Sequence, residues 1–390
     1  MKNILIIGNG FDIAHNLKTS YNDFLKFCNK VRDLTTGLFL EIPNNTYLNN
    51  EIMMKQLESE SILELENYFQ TNNEKIIREF ISLANKNFWI DYITQNQSTM
   101  DEKWSDLEYV IGVVIESLSY YTDHLKDLKE ETTIYHKNRK TIKCIIDYLN
   151  KHTSTDSDDY QKINMFQRQI LEDLNSLTRL LEIYLDTVLS YPIADNLPFF
   201  QSKIRFDFIL SFNYTKTYEK VYGIKDDEIF NIHGYADSNR NKSENNMVFG
   251  IGQVLKDEKG NESNYRNEYI PFQKYYQRII KKTGNKYKQW LKAEERKNVF
   301  IYGHSLEIAD GDIIKDFIDS TNSFIYVFYY DQESLNSLVV NLISIFDKDK
   351  VIELTNKEQI SFISCNDEKE IKNLLKKLQK TEGKNYLMPA

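Results

Sequence analysis

Four short segments of the chain combine residue types that could bind a phosphorylated ligand or move a proton. The first, Gly8-Asn9-Gly10-Phe11-Asp12, follows the apolar run Asn3–Ile7. Glycines after a first strand let backbone approach a phosphate, and successive N–H groups form an anion nest. The dinucleotide fingerprint would place a third glycine at position 13, which is Ile13, so the full pattern is not met. A tight turn with Asp12 as a local cap explains the same residues. The second, Ser211-Phe212-Asn213-Tyr214-Thr215, sets a carboxamide at a strand end. Asn213 can donate and accept there, orienting a ribose hydroxyl or a water; in isolation the segment also reads as an Asx-turn. The third, Asn231-Ile232-His233-Gly234, offers a histidine at a strand end, suited to general-base work near neutral pH. A lone histidine is otherwise structural. His15, just past the glycine turn, belongs beside it as a candidate. The fourth, Tyr302-Gly303-His304-Ser305-Leu306 with Asp310, is a strand, a Gly-x-Ser turn and a helix start that presents donors to a ribose or phosphate. A hydrolase nucleophile elbow needs glycine at position 307, which is Glu307, so Ser305 is not read as an acylated nucleophile.

Each segment follows a predicted strand, which is where parallel sheets place their ligands. Strands are expected at 3–7, Phe206–Phe212, Glu228–Ile232, Met247–Phe249, Asn298–Tyr302, Phe324–Tyr330, Val351–Leu354 and Ile360–Ile363. Ser20 with Asp23 marks a helix start, Asp331 caps another helix, and residues 366–380 form a closing amphipathic helix. The middle of the chain, about 55–200, has helical periodicity almost throughout. Ser105-Asp106-Leu107-Glu108 reads as a capping box there; otherwise the helix start with Trp104, Asp106 and Glu108 closes over the pocket. Ile170, Leu174, Leu177, Leu181, Tyr184 and Val188 make a heptad seam, either the interior of a helical bundle or a homo-oligomer contact. The expected fold class is α/β: a mainly parallel, Rossmann-like sheet interrupted by a large all-helical insertion. The sheet domain takes residues 1–40 and 200–390, and the insertion takes 41–199.

Composition supports that division. Of 13 glycines, only Gly112 lies between residues 38 and 222. An all-β fold needs many turns and would spread its glycines evenly. The net charge of −9 argues against a dedicated duplex nucleic-acid binder. Residues 256–297 nevertheless carry twelve Lys/Arg against six Asp/Glu, either a solvated face or a cationic rim for a phosphorylated ligand. Three scattered cysteines without a CxxC support neither a disulfide framework nor a zinc site. The apolar run Ile4–Ile7 is too short for a signal peptide, and no stretch is long enough for a membrane span. A soluble cytoplasmic protein is expected.

The opening Ile6–Asp12 and Ser20–Leu25 segments resemble the AbiH family, bacterial proteins linked to phage abortive infection. So do Trp104–Glu108, Ser211–Thr215, Ile232–Gly234 and Gly303–Leu306, in family order. The sequence of glycine turn, Asn after a strand, His-Gly, then Gly-x-Ser-Leu is more distantly similar to sirtuins and sirtuin-like NAD-cleaving defence proteins. That resemblance implies NAD as substrate. Gly8, Asn9, Gly10, Phe11 and Asp12 would lie at its phosphates. Asn213 and His233 would be catalytic, and Gly303, His304, Ser305 and Asp310 would lie at a ribose. No metal is implied: the four-cysteine zinc module of sirtuin deacylases cannot be built from three cysteines, which points away from protein deacylation. The resulting expectation is an anti-phage effector that hydrolyses NAD at the nicotinamide–ribose bond, set off by a phage-derived trigger. The alternatives are a non-catalytic nucleotide-binding sensor and an RNA-targeting toxin acting through residues 256–297.

Overall fold

The computed structural model describes residues 1–35, 65–71, 73–96, 107–125, 132–152, 158–191, 197–202, 204–223, 229–252, 267–292 and 294–382. In chain order the elements begin β1 (Lys2–Ile7), α1 (Asn9–Ala14), α2 (Tyr21–Thr35), α3 (Glu74–Asn85), α4 (Phe88–Asn96), α5 (Leu107–Asp123), α6 (Thr133–His152) and α7 (Asp159–Thr187). They continue with β2 (Phe208–Ser211), α8 (Thr217–Tyr222), β3 (Ile229–Asn231), α9 (Lys274–Ile280), α10 (Lys288–Leu291), β4 (Lys297–Tyr302) and α11 (Gly311–Ile318). The chain closes with β5 (Ser323–Tyr329), α12 (Gln332–Ile345), α13 (Lys348–Asn356), β6 (Ile360–Ser364) and α14 (Glu368–Glu382).

Contacts divide the chain into two compact units. One comprises Met1–Ser20, Leu189–Ala236 and Lys282–Ala390; the other comprises Tyr21–Val188 and Asp237–Lys281. Helix α2 and the stretch Asp237–Lys281, both assigned from sequence to the sheet domain, thus make their contacts in the helical unit.

The sheet unit holds six strands, all parallel, in the order β3-β2-β1-β4-β5-β6. This is the order of doubly wound dinucleotide folds, whose direction of winding reverses between β1 and β4. Strands buried on both faces read as continuous apolar runs, and β4 is buried at every position. Alternate residues feed two cores. Ile4, Ile6, Val299 and Ile301 pack with Ile313, Ile314 and Phe317 of α11. Leu5, Ile7, Phe300 and Tyr302 pack in the other core, with Ile371, Leu374, Leu375 and Leu378 of α14. Each such side chain contributes roughly 1.5–3 kcal/mol on burial.

Two expected strands are not strands. Val351–Leu354 lies inside α13, which Asp347 caps by accepting from the Lys350 N–H at 2.8 Å. Val351 and Leu354 are three residues apart, so both reach one helix face and are buried. Met247–Phe249 is irregular. There the Gln277 side chain takes the place of a partner strand, accepting from Phe249 N–H at 2.9 Å and donating to its carbonyl at 2.8 Å.

In the helical unit the heptad residues of α7, Ile170, Leu174, Leu177, Leu181 and Tyr184, are buried, and Val188 just past its end is half-buried. A buried ion cluster lies on the same helix. Arg179 holds Glu79 through two bonds of 3.0 Å, Glu182 at 2.8 Å and the Ser238 carbonyl at 3.0 Å. Glu182 also accepts from Asn245 at 2.7 Å, and Asp186 accepts from the Ser238 N–H at 2.8 Å. The helix thereby holds the segment that follows Ala236. No helix among the described residues is long and apolar enough to cross a membrane.

Candidate functional site

The reversal of winding brings the C-terminal ends of β1 and β4 side by side, and there the glycines meet. Gly8 N–H donates to the Tyr302 carbonyl at 3.1 Å, and Gly10 N–H donates to the Gly303 carbonyl at 2.7 Å. A Cβ on Gly8 would lie 2.7 Å from His304 Cα, and one on Gly10 would lie 2.8 Å from Gly303 Cα. Gly303 has φ +69°, and a Cβ there would lie 2.1 Å from the Phe11 nitrogen. These glycines therefore let two turns pack backbone to backbone, and the N–H groups of Gly8 and Gly10 are engaged in that packing. Asn9 is exposed at the start of α1. Phe11 is fully buried in an aromatic cluster with His15, Phe200, Tyr218 and Tyr302, and its N–H donates to the Gly8 carbonyl at 2.8 Å.

Asp12 is 1% exposed, yet it is a carboxylic acid. Its Oδ2 accepts from Thr215 Oγ1 at 2.6 Å, and Thr215 in turn receives the Thr217 hydroxyl at 3.0 Å. Burial pushes the Asp12 pKa up to about 6, while Thr215, Thr217, Asn213 and the charge of His15 pull it down. Asn213, 5% exposed, is the neighbour on β2's side. Its backbone is fixed by the Ser211 hydroxyl, which accepts from Asn213 N–H at 3.2 Å and donates to its carbonyl at 3.3 Å. The Asn213 side-chain amide adjoins the Asp12 carboxyl and lowers its pKa as a hydrogen-bonding neighbour; Asp12 Oδ1 and Asn213 Nδ2 are both buried, and neither makes a regular hydrogen bond to any other group.

The third group of residues surrounds Asp310. His233, 3% exposed at the end of β3, donates from Nε2 to Asp310 Oδ1 at 2.9 Å. A carboxylate can only accept, so Nε2 carries the proton and Nδ1 is the basic nitrogen. His304 is fixed differently. Its Nδ1 accepts the Leu306 N–H at 2.9 Å, which puts its own proton on Nε2, 3.9 Å from Asp310 Oδ2. Leu306 adopts φ +58° to make this bond, a conformation costing roughly 1–2 kcal/mol for a residue with a side chain. The Phe212 ring lies against both imidazoles, with centroids 4.2 Å from His304 and 5.4 Å from His233. Asp310 thus faces two imidazole N–H groups in a nearly closed setting, an arrangement suited to orienting a general base.

The remaining expected residues fall elsewhere. Ser305 is exposed, and its carbonyl accepts from Asn341 Nδ2 at 2.8 Å. His15 has both ring nitrogens engaged, Nδ1 with the Phe11 carbonyl at 2.7 Å and Nε2 with the Tyr222 hydroxyl at 3.0 Å, which makes it a core residue. Glu108 pairs with Lys274 at 2.7 Å inside the helical unit; Trp104, Ser105 and Asp106 lie outside the described residues. Lys274 is buried, and Lys281 donates to the Met247 carbonyl, so these two cations of the 256–297 run build the helical unit. Burial lowers the Lys281 pKa to about 8. Thr215 and Thr217, which orient Asp12, were not singled out for that part; the only signal was alternation of small polar residues after an apolar strand. Among the described residues no group of three or more His, Cys, Asp or Glu is arranged to hold a metal ion.

Fold and site together define a doubly wound α/β protein with a buried, titratable polar cluster at the C-terminal edge of its sheet. The chain belongs to the family of bacteriophage abortive infection AbiH proteins, whose model matches residues 4–330. That membership implies an anti-phage abortive infection role. No curated protein and no solved structure matches the chain significantly.

Proposed function

We propose that the sheet unit is the effector of this abortive-infection protein and hydrolyses NAD at the nicotinamide–ribose bond, using Asn213 and His233. The observation that carries this reading is the buried 2.9 Å contact between His233 Nε2 and Asp310, at the strand ends where doubly wound folds bind nucleotides. The contact leaves Nδ1 as a base with a fixed direction. In the proposed reaction water attacks C1′ of the nicotinamide ribose as the C1′–N bond breaks. Nicotinamide leaves as a neutral molecule with the bonding pair, so no general acid is needed. The transition state has oxocarbenium character, as in glycoside hydrolysis. The water proton passes to His233 Nδ1, a step worth about 10²–10⁴ in rate. Asn213 orients the water and a ribose hydroxyl. The Gly303–Ser305 turn lies along the ribose, and the turn at 8–12 lies along the rest of the dinucleotide. The helical unit takes the regulatory part and responds to a phage-derived trigger; the site of action is the cytoplasm.

The test is incubation of the purified full chain with NAD, following NAD, nicotinamide and ADP-ribose. Equimolar products are expected, with turnover at least about 100-fold lower in His233→Ala and Asn213→Ala. Wild-type turnover in both variants would overturn the residue assignment. Saturable NAD binding without products would instead make the site a nucleotide sensor.

A further inference from the structure

We infer that His304 is a positioning residue of the site: its imidazole, locked in the neutral form, turns an N–H toward Asp310 and leaves His233 as the ring of the two that takes up a proton. This rests on the reading of His233 as the base of the proposed hydrolysis, and it gives His304 a part beyond lying at a ribose.

Two imidazoles meet one carboxylate here, and they are held in opposite ways. His233 Nε2 donates to Asp310 Oδ1 at 2.9 Å, so a proton gained at Nδ1 yields an imidazolium bonded to a carboxylate. His304 has its basic nitrogen turned to backbone instead. Its Nδ1 accepts the Leu306 N–H at 2.9 Å, and a proton arriving there would set donor against donor. The residue is held in place as well. A Cβ on Gly8 would lie 2.7 Å from His304 Cα, and the Phe212 ring centroid lies 4.2 Å from that of His304. Leu306 takes φ +58° to make its bond, and left-handed backbone at a residue with a side chain is strain of the kind that collects at functional sites.

The consequence is electrostatic. At 3.9 Å the His304 Nε2–H is too far from Asp310 Oδ2 for a direct hydrogen bond, but its dipole favours the ionised carboxylate. An imidazolium at position 304 would take Asp310 as its own counter-ion and repel a proton from His233. The neutral ring instead offsets part of the Asp310 charge, which keeps His233 from holding its proton too tightly to release. The other charged groups of the surrounding elements are placed differently. Glu307 and Asp312 on the His304 side are exposed, and Asp12 after β1 is held by Thr215. The end of β2 contributes Phe212, and α12 contributes Asn341, bonded to the Ser305 carbonyl.

Nitrogen-15 NMR of the full chain labelled at histidine, titrated from about pH 8 to 5.5 without NAD, reads the protonation of each ring nitrogen. Resonances are assigned by their loss in His304→Asn and His233→Ala. In wild type His304 is expected to stay protonated at Nε2 alone throughout, while His233 becomes doubly protonated. His304→Asn retains a side-chain oxygen for the Leu306 N–H but has no N–H reaching toward Asp310. It should raise the His233 midpoint by at least about 0.5 pH unit, and with it the acid limb of kcat/KM for NAD. His304→Gln, which restores an N–H at the reach of Nε2, should bring both back toward wild type. A His304 that only shapes the turn would leave the midpoint unmoved in His304→Asn, and that result overturns the proposal. Double protonation of all six histidines of wild type by pH 5.5 overturns it too, with no variant required to fold. A chain that titrates as expected but releases no nicotinamide keeps the role of His304 at Asp310 and overturns NAD hydrolysis; hydrolysis with an unmoved midpoint does the reverse.

Discussion

Asp12 combines two properties that folding stability alone would not select, complete burial and an ionisable group. Its carboxyl has a pKa of about 6 in the folded chain against 3.8 for an ordinary aspartate. A raised folded pKa means that the neutral form is the one the fold accommodates. The associated stability is fully present below the ordinary pKa and is lost as pH rises through about 6. Replacing Asp12 by Asn removes the ionisation while keeping an acceptor for Thr215. Asp12→Asn should therefore gain stability over wild type as pH rises from 4 to 7.5, by up to about 3 kcal/mol. Thermal melts of both proteins across that range would show it; a stability difference constant with pH would argue that the carboxyl is not buried as described.

At the scale of elements, the turns after β1 and β4 act as one piece. Gly303 combines φ +69° with backbone 2.1 Å from where a Cβ would sit. Gly303→Ala should cost at least about 3 kcal/mol, combining left-handed strain with displacement of the Phe11 backbone. The readout is urea denaturation; a change below about 1 kcal/mol would mean the two turns are not packed as seen. The helical unit offers a parallel case in α7. Arg179 is 2% exposed and Glu182 fully buried, so Arg179→Ala takes from the Glu182 carboxylate its 2.8 Å partner and leaves the more distant Arg240, at 4.0 Å, as its ion-pair partner. A loss of about 3–5 kcal/mol is expected, measured in the same denaturation experiment. Arg179→Ala with near wild-type stability would show that the cluster is open to water.

At the scale of the whole molecule, chemistry and fold can be separated in vivo. In the family's role, a cell carrying wild-type protein limits phage spread. His233→Ala retains the buried ring environment only in part, so soluble protein must be measured beside phenotype. Matched soluble levels with phage plating raised at least about tenfold relative to wild type are expected, together with preserved cellular NAD during infection. Full protection by the variant at matched levels would remove His233 from the mechanism.

Much of the sheet unit was legible in the sequence because its signals are short-range. The apolar runs of β1, β4 and β5, the Asp331 cap and the glycines at strand ends each depend on a few adjacent residues. Where local signals were degenerate the reading failed: Val351 and Leu354 suit a strand or one face of a helix, and only the Asp347 cap and the packing of α13 decide. Met247–Phe249 is apolar enough for a strand, but Gln277 supplies its hydrogen bonds. The site divides in the same way. Its residue types and their positions after strands were set by the sequence alone. Their partnerships were decided by tertiary structure, because spacing does not say which strand ends become neighbours. Asp310 reaches His233 across 77 positions, and Thr215 reaches Asp12 across 203. Only the sheet order, with β1 between β2 and β4, brings those residues to one edge and shields them from water, and burial is what makes their charges and missing hydrogen bonds matter.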